Sequence, residues 1–183
     1  PVPQVLRLNA GSEPDTIDPQ KASFVGEIDV IMKVFSNLLT FDKDGNIIPE
    51  MAKELPKLSA DGLTYTFVLK DGLKYSDGKA LTAKDFEYGW KRHMDPEVAG
   101  DYSFLGYTIV GGEAYNTADP KKLSKDDLKK LRDALGVKAL NDTTLEIKLQ
   151  EKAPYFLSIL TTWNGIPSRE DMESRYHLLD GEV

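Results

Sequence analysis

The sequence predicts a mixed α/β protein of the α+β kind, in which hairpins and helices alternate irregularly. Three observations carry that expectation. Asp-Gly pairs at Asp61-Gly62, Asp71-Gly72 and Asp77-Gly78 punctuate the chain around an alternating run, Thr64 to Leu69. A second alternating run, Thr144 to Leu149, follows the turn residues Asn141-Asp142. Between and around these runs lie stretches with helical spacing, but not in the strand-helix-strand order of a regular parallel sheet.

The elements follow in order. Val5 to Asn9 reads V-L-R-L-N and predicts a short strand. Gly11 to Gln20 is turn-rich, and its two prolines exclude a helix. From Glu27 the spacing places Ile28, Ile31, Met32, Phe35 and Leu38 on one helical stripe. The run LLTFDKDGNIIPEMA predicts a strand, a turn at Asp44-Gly45 and an extended return to Pro49. In T-Y-T-F-V-L, Tyr65, Phe67 and Leu69 share one face of a strand.

Thr82 and Asp85 have the spacing of a capped helix start, and the helix should run to about Arg92 with Phe86, Trp90 and His93 near one stripe. Asp95-Pro96 ends it, and Asp101 to Gly112 reads as an aromatic, glycine-rich loop. Ser124 caps a charged helix ending near Leu135-Gly136, laced with Lys-Asp pairs at helical spacing. Val137 to Leu140 and Thr144 to Leu149 form a hairpin with Leu145, Ile147 and Leu149 on one side. Pro154 opens a helix to about Leu160, and Ser168 to Asp171 opens a last short one.

Composition narrows the function classes. The chain of 183 residues is 40% hydrophobic and 29% charged, the balance of a globular protein with a real core. No apolar run reaches the ~20 residues of a bilayer span. The opening PVPQVLRLN lacks the basic-then-apolar pattern of a signal segment. Net charge is -7 with dispersed bases, which argues against a nucleic-acid partner. There is no cysteine, so disulfides, thiolate catalysis and cysteine-ligated zinc are excluded.

The sequence carries no recognisable catalytic or metal-binding motif. Asp42-Lys43-Asp44-Gly45-Asn46 starts like a calcium loop, but its glycine is fourth rather than sixth, so it reads as a hairpin turn. His93 and His177 are the only histidines, far apart and without ligand spacing, which predicts no metal and places them at the core edge or surface. No G-x-S-x-G elbow and no phosphate cradle are present. The paired acids sit at helix starts, where the helix dipole accounts for them. The reading is therefore no enzyme and no cofactor. What stands out is a set of rings in or beside glycine-containing loops: Tyr102, Phe104, Tyr107, Tyr115 and Trp163.

One longer pattern remains. The run from Pro49 to Arg92, PEMAKELPKLSADGLTYTFVLKDGLKYSDGKALTAKDFEYGWKR, resembles the signature region of the family 5 extracellular solute-binding proteins. LNAGSEPDTIDPQ (Leu8 to Gln20), FSNLLTFDKDGNIIPEMA (Phe35 to Ala52) and GVKALNDTTLEIKLQEKAPYF (Gly136 to Phe156) agree in order. MDPEVAGDYSFLGY points toward the oligopeptide-binding branch. The chain departs from the family at Ser36-Asn37, where Glu-Gly is usual, and its ending, DMESRYHLLDGEV, stops matching.

The resemblance implies a periplasmic-binding-protein-like type II fold and the substrate-binding component of an ABC-type oligopeptide importer, which holds an extended peptide between two lobes. Residues 1–38 are then the start of lobe I, 39–166 a small extra domain, and 167–183 a return toward lobe I. The second lobe is expected to be absent, so that the chain is a piece of a longer receptor and binds little by itself. Carried over residue by residue, the implied ligand-binding positions are Ser23, Phe24 and Val25, Tyr102 and Phe104, and Trp163 and Asn164. The implied partners are an oligopeptide and a membrane permease. The implied setting is a monomer in the periplasm or lipid-anchored outside the cell. A dipeptide, a nickel complex or a sugar is the alternative ligand, and a scaffold domain without a tight ligand the alternative role.

Overall fold

The computed structural model describes Arg7, Asn9 and residues 11–172. The strand expected at Val5 to Asn9 lies largely outside these residues, as does His177. The first helix, α1 (Val25–Val34), is followed by a two-stranded hairpin, β1 (Leu39–Phe41) and β2 (Ile47–Pro49). A four-stranded antiparallel sheet follows from β3 (Lys57–Leu58), β4 (Thr64–Val68), β5 (Val137–Asn141) and β6 (Thr144–Lys148), in the order β3-β4-β6-β5. Helix α2 (Ala83–His93), the short α3 (Gly112–Asn116), α4 (Lys125–Asp133) and α5 (Phe156–Ile159) complete the described elements, with single 3-10 turns at Ser103–Gly106 and Trp163–Gly165.

The run of Asp-Gly turns around β4 builds scaffold. Gly62, Gly72 and Gly78 all take positive φ, between 71° and 86°, which a Cβ would resist. Between the first two turns, β4 points Tyr65 and Phe67 inward. It pairs with β6 in a register that sets Tyr65 opposite Ile147 and Phe67 opposite Leu145. α2 starts as its sequence requires, because the Asp85 carboxylate accepts from both the Thr82 N–H (2.7 Å) and the Thr82 hydroxyl (3.0 Å).

α2 then lays Phe86, Trp90 and His93 against the sheet, all without solvent exposure. Burying a large apolar side chain such as Phe86 stabilises the fold by about 1.5–3 kcal/mol. The core runs from Leu38 through Phe67, Leu145 and Ile147 to Phe156 and Leu160. Tyr65 meets Phe156 with ring centroids 5.4 Å apart, tying α5 to the sheet.

Two features of α2 have structural consequences. Glu87 takes the β5 edge amide of Ala139 (2.8 Å) with one carboxylate oxygen and Lys91 (2.6 Å) with the other. Gly89 lets the backbone of Ile166 to Ser168 lie directly on the helix. That crossing segment is fixed further by Arg169. Its guanidinium donates to Asp171 (2.9 and 2.7 Å) and Asp77 (2.6 Å) and stacks 5.1 Å over the Tyr75 ring.

The structure departs from the sequence reading in several places. The stripe from Glu27 is not one buried face. α1 stops at Val34, Leu38 packs beyond it, and Met32 and Phe35 stay 40% and 38% exposed, leaving Ile31 as the apolar anchor. The stretch read as one aromatic loop contains a 3-10 turn at Ser103–Gly106 and is followed at once by α3. Tyr107 and Tyr115 are spent there on structure, donating to Asn116 Oδ1 (2.7 Å) and Asp95 Oδ2 (2.8 Å). His93 is neither at the core edge nor on the surface but wholly interior. It stacks edge-on to Trp90 at 5.7 Å, and burial pushes its pKa down to about 4.

Candidate functional site

The α1 start is built around a buried acid. Glu27, 4% exposed, folds back so that one carboxylate oxygen accepts from the N–H groups of Ser23 (3.0 Å) and Phe24 (3.1 Å) and the other from that of Thr16 (3.3 Å). Those backbone donors, Phe24 first and Ser23 next, hold its carboxyl below the usual range. The consequence for function is direct. The amides of Ser23 and Phe24 are already engaged, so this segment presents outward mainly the apolar faces of Phe24 (67% exposed) and Val25 (76% exposed).

The second part of the site comes from the 3-10 turn after α2. Ser103 Oγ donates to the His93 carbonyl (2.8 Å) and pins the turn to the end of the helix. This leaves Tyr102 half-buried and Phe104 exposed on its flanks, with centroids 5.8 Å apart. The third part is Trp163, in the last 3-10 turn. Its indole lies edge-on to Tyr102 at 5.1 Å, and its Nε1 donates to the Ala22 carbonyl at 3.1 Å.

Six of the seven expected positions therefore fall into two groups linked by Trp163: Ser23, Phe24 and Val25 on one side, Tyr102 and Phe104 on the other. Asn164 is different. It is 1% exposed, and its amide donates to Thr162 Oγ1 (3.2 Å), so it supports the turn from within. Ala22, buried beside Ile31 and Ile166, is the contact that sequence reasoning missed. A small side chain in a turn-rich stretch carries no signal of its partner.

The described side chains at this surface offer mainly apolar and aromatic contact area. Among the described residues no group of three His, Cys, Asp or Glu side chains could hold a metal. The His93 ring has no solvent exposure, so both of its nitrogens are sealed from any substrate. A half-open groove of about 300 Å³ lies beside Phe24, between Glu27 and residues 12–15, but its one buried acid is fully used by the backbone. Among the described residues no helix is long and apolar enough to cross a membrane.

Comparison with known proteins settles the relationship. The model of the bacterial extracellular solute-binding proteins, family 5 (middle region), matches residues 46–178. The chain belongs to this family. It is 36% identical over 170 residues to the oligopeptide-binding protein OppA of Bacillus subtilis, covering 93% of this chain and 29% of that protein. It is 37% identical over 157 residues to the probable deoxycholate-binding periplasmic protein YgiS of Escherichia coli, covering 86% of this chain and 28% of that protein. Among solved structures, Listeria monocytogenes OppA bound to peptide superposes with a TM-score of 0.79 at 31% identity, over 89% of this chain and 30% of that one. The mixed α/β architecture is thus that of the type II periplasmic binding proteins, and the chain spans under a third of the length of these relatives.

Proposed function

We propose that this chain supplies one wall of the peptide site in the substrate-binding component of an ABC-type oligopeptide importer. The observation that carries the reading is the Trp163 indole, which joins Ala22 to Tyr102 and so gathers rings and apolar side chains from three remote segments beside one another. Flat rings on a rigid scaffold suit an extended chain of varied sequence, because they give contact area without demanding one hydrogen-bond pattern. In this reading Phe24, Val25 and Phe104 meet the guest directly. Ser23, Tyr102 and Trp163 border it, and Asn164 holds the Trp163 turn.

The division of the chain into residues 1–38, 39–166 and 167–183 belongs to this reading, with Leu38 packing in the large apolar cluster and Ile166 in the small one. One large cluster spans Leu38 to Leu160, and a small separate one joins Ala22 and Ile31 to Ile166. Good pockets bury about 70–90% of a ligand, and a single wall leaves much of a peptide wet. Tight binding accordingly requires an opposing lobe, and the permease docks on the assembled receptor outside the membrane.

The test is calorimetric titration with tri- to hexapeptides, on this chain and on a protein extended to the length of its relatives. Micromolar or tighter peptide binding by the extended protein, with little by the chain alone, is expected. Flat peptide titrations together with uptake of deoxycholate, a sugar or a nickel complex refute the assignment.

A further inference from the structure

The two groups of the candidate site come from different stretches of the chain, and they meet where residues 18–22 cross the end of α2 and the segment from Ile166 to Ser168. The crossing is gripped by a polar cluster. From the last turn of α2, Arg92 donates to both carboxylate oxygens of Asp18, at 2.7 and 2.6 Å, and to Gln20 Oε1 at 2.8 Å. Gln20 Oε1 also accepts from Ser168 Oγ (2.9 Å), and Gln20 Nε2 donates to the Ile166 carbonyl (3.3 Å). Arg92 is 8% exposed and Gln20 3%.

A planar guanidinium fork can satisfy two carboxylate oxygens and a neighbouring amide at once, which a lysine ammonium on a flexible stem cannot. Buried hydrogen-bond networks of this kind, held in a low dielectric, rigidify what they join. Arg92 points at Asp18 and Gln20 rather than at the exposed faces of Phe24, Val25 and Phe104. Its effect on a guest is therefore indirect.

We propose that Arg92, acting through Asp18 and Gln20, is a positioning residue that fixes Ser23–Val25 relative to Tyr102 and Trp163 and thereby sets ligand affinity without touching the ligand. The affinity half of this inference rests on the binding role proposed above. The positional half stands independently of it.

Amide hydrogen exchange separates the two. It is followed at residues 18–27, with β4 and β6 as internal controls, in the parent protein and in Arg92→Lys, Arg92→Gln, Asp18→Asn and the Asp18→Asn/Arg92→Gln double variant. Exchange at residues 18–27 is expected to accelerate on the order of tenfold to a hundredfold, as for loss of a hydrogen bond to a charged group, while β4 and β6 stay at the parent rate. The double variant is expected to lose no more than the worse single one, because the side chains act as a unit. In the receptor extended to the relatives' length, affinity for tri- to hexapeptides is expected to fall about tenfold in step with the exchange, at unchanged stoichiometry.

Parental exchange rates at residues 18–27 overturn the proposal, and so does a loosened arm that binds peptide with parental affinity. A parent that takes up no peptide defeats the binding role instead, and the exchange rates alone then decide whether Arg92 positions the arm. Should Arg92→Gln fail to fold, Asp18→Asn makes the same comparison from the more solvent-exposed side of the cluster.

Discussion

Replacing Gly89 by alanine sets two well-defined effects against each other. A methyl group at this position lies 2.6 Å from the Ile166 carbonyl oxygen, 3.2 Å from the Ser168 nitrogen and 3.4 Å from Pro167 Cα, where ordinary contact begins near 3.4 Å. In favour of alanine, helix propensity contributes about 1 kcal/mol. Against it, all three neighbours are backbone, so α2 or the crossing segment must move by several tenths of an ångström. Overpacking of this kind costs about 1–3 kcal/mol. The same movement strains the Ser168 N–H bond to the Asp85 carbonyl, 3.1 Å long, a bond of the type worth about 1 kcal/mol. The clash wins by about 1–2 kcal/mol, which at this chain length lowers Tm by roughly 2–8 °C. Thermal melts followed by circular dichroism, with exchange of the Ser168 amide as the local readout, check it. An alanine variant that melts at or above the parent refutes the packing argument.

Other perturbations have equally definite outcomes. The folded protein keeps His93 neutral down to about pH 4 whereas an exposed histidine protonates near 6.5. Stability from this residue is thus complete above pH 6.5 and drains away as pH falls toward 4, by up to roughly 3 kcal/mol. His93→Leu should flatten that limb of the Tm-against-pH curve, and an unaltered slope counts against the assignment. Ser124→Ala removes the hydroxyl that accepts from the Asp127 N–H at 3.1 Å. It should cost about 1 kcal/mol and speed exchange at Asp127, and unchanged exchange there contradicts the capping role. Glu27→Gln leaves a single side-chain acceptor for the three amides of Ser23, Phe24 and Thr16. Faster exchange at Ser23 and Phe24 and a lower Tm are expected, and parental values at both amides show that the cap is dispensable.

Much of the domain could be read from short-range chemistry. Turns that need a positive φ announce themselves as Asp-Gly, a capped helix start shows in Thr82 and Asp85, and alternation marks β4 and β6. The antiparallel pairing of β4 with β6 was not readable, because the partners are remote in sequence and nothing local encodes register. Apolar spacing misjudged α1, since it reports which residues could face a core and not whether a core is there to meet them. For the site, resemblance led to residues that the fold partly gathers around Trp163. The clamp of Asp18, Gln20 and Arg92 stayed invisible, because each residue read alone is ordinary polar surface and only the folded chain buries them together.

The carboxylate of Glu87 spends one oxygen on the outer amide of β5. On the function proposed above, this bond meets a particular hazard, because any bare sheet margin invites an extended peptide to dock there as an added strand. Capping the Ala139 amide with a side chain of the same molecule withdraws one such landing place from this flank of the sheet.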